Sequence, residues 1–146
     1  MIKNASEQFV VDLSIRIEAP QEAVFKLLSD KDQIKRWQPI DDFEPRVGGK
    51  YKFTKGEWIA SGEIVEFDPP RVVAYTWDWE NKPIGSRTVV KFELKKDGTG
   101  TLVRLTHTGF IDAEWAADHS KGWGHYLGRL KTAAEGGDPG PDSMGM

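Results

Sequence analysis

The sequence predicts one α+β domain in which a curved antiparallel sheet wraps a single long C-terminal helix. Three observations predict it. A strict two-residue alternation runs near the start of the chain, turn punctuation recurs from Asp41 to Gly109, and one long amphipathic segment spans Asp112 to Ala134. A chain of 146 residues suits one domain of ordinary size. Each element has one apolar face to bury, and bending the sheet around the helix buries all of them together.

Residues 1–8 form a short N-terminal extension without the apolar run of a signal peptide, and the domain is expected over residues 9–135. Phe9, Val11, Leu13, Ile15 and Ile17 alternate with Val10, Asp12, Ser14, Arg16 and Glu18, which specifies a strand with one buried face. Ala19-Pro20 ends it, and Val24, Leu27 and Leu28 give Gln21–Leu28 the apolar stripe of a short helix. Ser29 and Asp30 are suitable caps for a second short helix, Lys31 to Trp37, closed by Pro39.

Gly48-Gly49, Lys55-Gly56, Pro69-Pro70, the 81–85 loop and Asp97-Gly98-Thr99-Gly100 then divide the chain into strands. These are expected near Phe43–Arg46, Lys50–Thr54, Trp58–Phe67, Val72–Trp79, Arg87–Lys95 and Thr101–Thr108. Alternation turns Thr88, Val90, Phe92 and Leu94 inward, with Val103, Leu105 and His107 from the next strand. By side-chain area, the inward set of Val72–Trp79 is Val73, Tyr75, Trp77 and Trp79. In the long helix Trp115, His119 and Trp123 follow one another at steps of about 40°, and Tyr126, Leu127 and Leu130 continue that stripe. Gly, Pro and Asp dominate residues 136–146, which read as a disordered tail.

Composition excludes several functions. Twenty Lys and Arg against 23 Asp and Glu leave a net charge of −3, so nucleic acid and membrane surfaces are not favoured partners. No run reaches the roughly 18 apolar residues of a membrane helix, and a cytoplasmic location is the default. The absence of Cys removes thiol nucleophiles and thiolate metal sites. No His-Glu-x-x-His, no Gly-x-Ser-x-Gly and no phosphate-binding glycine loop occurs, so the sequence offers no metal and no cofactor.

Six Trp in a chain this short are the strongest functional signal. Trp37, Tyr75, Trp77, Trp115 and Trp123 come from separate elements that the fold would gather, and large apolar groups with a few polar ones are what small-molecule sites look like. The same rings could instead interlock as ordinary core. His107 and His119 are read as inward-facing, either reaching a shared cavity as acid/base or ligand-orienting groups or serving as hydrogen-bonded core histidines. His125 lies roughly 240° from His119 around the helix and reads as a surface residue. Strand alternation would turn one of Glu63 and Glu66 inward unless a bulge intervenes, and an inward Glu could act as a general acid.

A family resemblance is carried by Ile17-Glu18-Ala19-Pro20, Trp37, Val47-Gly48-Gly49-Lys50-Tyr51, the Gly62-to-Pro70 segment, Tyr75-Thr76-Trp77, the Leu105-to-Phe110 segment, and Gly122-Trp123 with Leu127 and Leu130. In order and spacing these segments resemble the START-like (SRPBCC, Bet v 1-like) superfamily. Within it they resemble homologues of the C-terminal domain of the activator of heat shock protein 90 ATPase. The resemblance covers Phe9 to Ala134 and implies a helix-grip fold with a pocket between sheet and helix. It implies a hydrophobic or aromatic small molecule as partner, held by Trp37, Tyr75, Trp77, His107, Trp115, His119 and Trp123. It also implies two other roles. One is activation of a heat-shock chaperone ATPase, which in the family draws on an additional N-terminal domain where this chain has only residues 1–8 before Phe9. The other is cyclase- or aromatase-like chemistry with a pocket His, for which no acid/base signature stands out. Oligomeric state is not legible in the sequence.

Overall fold

The computed structural model describes residues 9–140; the expectations for residues 1–8 and 141–146 lie outside them. Strand β1 (Val11–Ile17) is followed by helices α1 (Gln21–Ser29) and α2 (Lys31–Ile34), and then by β2 (Ile40–Phe43), β3 (Lys50–Lys55), β4 (Trp58–Asp68), β5 (Val72–Trp79), β6 (Thr88–Asp97) and β7 (Gly100–Thr108). Helix α3 (Ala113–Ala134) completes the domain. The seven strands form one antiparallel sheet in the order β1-β7-β6-β5-β4-β3-β2. The first strand therefore closes one edge while the short helices carry the chain to the other. The result is the expected helix-grip architecture.

Alternation explains the buried faces. Thr88, Val90, Phe92 and Leu94 of β6 and Val103, Leu105 and His107 of β7 are all buried, as are Val73, Tyr75 and Trp77 of β5. Asp112 caps α3 by accepting from Glu114 N at 2.7 Å and Trp115 N at 3.3 Å. Gly122, Gly124 and Gly128 lower the helix's intrinsic propensity, so its stability comes from the buried stripe of Ala116, His119, Trp123, Tyr126, Leu127, Leu130 and Ala133.

Three expectations are corrected. Helix α2 stops at Ile34 rather than Trp37, because the segment before Pro39 tightens into a turn and the Trp37 indole N–H donates to Leu27 O at 2.6 Å. Strand β2 lies upstream of the expected Phe43–Arg46. Pro45 has no N–H for a ladder, and Arg46 N and Gly49 N instead close turns onto Glu44 O and Arg46 O. In β4 the register shifts between Ile64 and Glu66, so Val65 is bulged and both Glu63 and Glu66 face solvent. Glu66 pairs there with Lys91 at 3.3 Å, and no inward carboxylate remains in the strand. Residues 136–140 turn back along α3. Arg129 donates to Pro139 O at 3.2 Å and Gly140 O at 2.9 Å while its Nε bonds Trp37 O at 3.0 Å.

Candidate functional site

The aromatic seam between sheet and α3 is built around two histidines. His107 arrives from β7 and His119 from the first half of α3, with ring centroids 5.1 Å apart. Trp77 packs against both rings and lies 5.2 Å from Trp123. Phe110 covers the pair from the β7–α3 connection, 4.4 Å from His107 and 4.9 Å from His119.

The hydrogen bonds fix the state of each imidazole. Thr88 uses its hydroxyl proton on Trp77 O at 2.6 Å, so it accepts from His107 Nε2–H at 2.9 Å. An indole N–H can only donate, so His107 Nδ1 accepts from Trp123 Nε1 at 3.0 Å. His107 is thus assigned, from its partners, as the neutral Nε2–H tautomer. By the same reasoning His119 donates Nδ1–H to Trp115 O at 2.8 Å, and its Nε2 accepts from Trp77 Nε1 at 3.2 Å and Trp79 Nε1 at 3.1 Å. Both basicities are depressed. Burial lowers the His107 pKa well below its ordinary value with help from nearby His119, and burial likewise lowers that of His119 against the opposing influence of Trp115 O and Asp118.

Trp77, His107, His119, Trp123 and Trp115 are brought together, with Trp115 5.8 Å from His119 and half-buried. Tyr75 adjoins them through Trp77 at 6.5 Å and meets Tyr51 more closely, tilted, at 4.6 Å. Burial pushes the Tyr75 hydroxyl far above its ordinary pKa, which keeps it neutral. Trp37 stands apart: it is fully buried, and its ring meets Phe92, which also touches Trp123. His125 is half-buried against Tyr126 on another side of α3.

Sequence reasoning left Thr88, Trp79, Trp58 and Phe110, which covers both histidines, out of the site. Thr88 and Trp79 were both legible as inward-facing, and a lone hydroxyl in the stripe Thr88, Val90, Phe92 and Leu94 was the available signal for a histidine partner. Trp58, 43% exposed at the start of β4, carried no signal; it meets Trp79 edge-on at 5.4 Å. Trp58 is exposed and Trp79 and Trp115 are half-buried, and Lys82 Nζ stands 5.9 Å over the Trp115 ring. The inner part is filled by its own rings, with Trp77 4% and Trp123 3% exposed. Two open depressions of about 530 and 480 Å³ lie elsewhere, lined by residues such as Lys50, Glu63, Thr76 and Arg87. Among the described residues no group of three or more His, Asp or Glu could hold a metal ion, and no helix is long and apolar enough to cross a membrane.

The family described as Activator of Hsp90 ATPase homolog 1-like protein matches residues 18–135. The chain belongs to this family. Solved structures of similar fold include CalU16 from Micromonospora echinospora, 29% identical with a TM-score of 0.70 over 83% of this chain and 73% of that one. The Aha1 dimer from Colwellia psychrerythraea is 25% identical, with a TM-score of 0.75 over 88% of this chain and 97% of that one. An HSP90 activator from Plasmodium falciparum shares the fold at 18% identity, with a TM-score of 0.71 over 86% and 95% of the two chains. No curated protein matches. Within the Activator of Hsp90 ATPase homolog 1-like family, the residues above define the seam of this member.

Proposed function

We propose that this protein binds a flat, largely apolar small molecule at the open end of its aromatic seam and is not a catalyst. The observation that carries this reading is a continuous path of ring contacts from solvent to core. It runs from exposed Trp58 to Trp79 at 5.4 Å, to Trp77 at 5.3 Å and to Trp123 at 5.2 Å, with half-buried Trp115 on the helix side. Aromatic walls with a few polar groups suit such ligands. The histidines fit an orienting role better than a catalytic one, because all four ring nitrogens already engage protein partners. Of the expected ligand residues, Trp77, Trp115 and His119 lie nearest the entrance. His107, Tyr75 and Trp123 back them, and Trp37 braces Phe92 behind.

Titration with a panel of hydrophobic and polyaromatic compounds is expected to give a saturable change in Trp emission for flat aromatics, since the entrance is itself built of indoles. An absence of saturable change across the panel contradicts the reading.

Family membership favours a second reading, activation of a heat-shock chaperone ATPase. On it, adding the protein raises ATP turnover by a heat shock protein 90 in a coupled assay. On the binding reading turnover stays at the chaperone's own rate.

A further inference from the structure

We propose that Trp77 and Trp79 form a donor pair that selects uncharged aromatic molecules bearing a carbonyl oxygen, with the Trp79 N–H as the group that meets the ligand. The inference deepens the binding reading and rests on it. Both indole N–H groups converge on one atom, His119 Nε2, at 3.2 Å and 3.1 Å. A neutral imidazole nitrogen offers a single in-plane lone pair, whereas an indole N–H can do nothing but donate. Donors therefore outnumber lone pairs at this point by one.

The ring of His119 cannot relieve this by turning, because its Nδ1–H is fixed on Trp115 O at 2.8 Å. A carbonyl oxygen carries two lone pairs and is the natural partner for the donor left over. Trp77 is buried and covered by Trp123 and His107, while Trp79 is half-buried beside exposed Trp58. The unshared donor thus belongs to the outer indole. A flat ring seated beside exposed Trp58 would bring an oxygen on its edge to Trp79 Nε1, and Trp77 would then keep His119 Nε2 to itself. A carboxylate would also accept the bond, but stripping water from a charge costs far more than stripping it from a ketone, and the walls here are aromatic. The expected class is therefore a neutral aromatic ketone or quinone.

Equilibrium dialysis with 9-fluorenone and fluorene tests this, since the two share a three-ring skeleton and differ in the carbonyl. The protein is expected to hold the ketone roughly three- to ten-fold more tightly, the worth of one neutral hydrogen bond. In Trp79→Phe the ratio of the two affinities falls to about unity, whatever happens to each of them. Equal affinities for the two compounds in the parent overturn the donor-pair inference while leaving the binding reading intact, and so does a Trp79→Phe variant that keeps the full preference. Retention of neither compound overturns both.

Discussion

Trp123→Ala is expected to lose about 3–5 kcal/mol of folding stability, a large part of what a domain of this size possesses. Trp123 is 3% exposed and touches Trp77, Phe92, His107 and Tyr126, so its removal opens a void that four elements would have to close together. Interlocked rings do not collapse readily into such a space. A second cost adds to the void. The Trp123 N–H is the donor to His107 Nδ1 at 3.0 Å, and truncation strands that nitrogen in the core. Trp123→Phe separates the two effects, since it keeps most of the packing and loses only the donor; it should fall between parent and alanine variant. Urea denaturation measures all three, and an alanine variant as stable as the parent would mean that the stripe on α3 does not carry the fold.

The second large effect is on pH dependence. Both His107 and His119 have folded-state pKa values below the ordinary value near 6.5. The unfolded chain therefore binds protons first as pH falls. Their contribution to stability is complete above about pH 6.5 and is lost progressively as pH drops toward the folded-state values. The structural reason is plain: a second proton on either ring occupies the lone pair that Trp123 or the Trp77 and Trp79 pair requires. Asp118 and the Trp115 carbonyl oppose this for His119, whereas the neighbouring His119 reinforces it for His107. Surface carboxylates act in a lower window. Asp12 is held below its ordinary value by its hydrogen bonds from Arg104, Glu18 by Thr99 and Arg16, and Glu135 by Lys131, so their contributions fade only as pH falls below about 4. Melting temperature should thus decline between pH 7 and pH 5 in the parent. A His107→Gln/His119→Gln double variant should be less stable at pH 7 yet show a flatter slope over that interval, and an unchanged slope would remove the histidines as the cause.

Much of the fold was legible because it depends on periodicity. The alternation of Thr88, Val90, Phe92 and Leu94 against Val89, Lys91 and Glu93 sets one face of β6 without knowledge of its neighbours, and the spacing of Trp115, His119 and Trp123 does the same for α3. Where a local event breaks the period, the reading failed. The bulge at Val65 turned Glu63 and Glu66 to the same side, and Pro45 moved β2 upstream. The site was legible as a gathering of residues but not as a network. Which way each indole points, and that two of them share one nitrogen, depends on ring orientations that follow only from packing all the elements together. For the same reason the sequence could not decide between a cavity and interlocked rings. The structure fills the inner seam and leaves Trp58, Trp79 and Trp115 partly exposed.

Nitrogen-15 NMR of the imidazoles at pH 7 reads the seam's organisation atom by atom. The hydrogen-bond pattern predicts two neutral rings of opposite tautomer, His107 protonated at Nε2 and His119 at Nδ1, each resisting further protonation as the pH is lowered through 6.5. Either ring appearing as an imidazolium at pH 7, or in the other tautomer, would contradict the network of Trp77, Trp79, Thr88 and Trp123 on which both the closed core and the proposed donor pair depend.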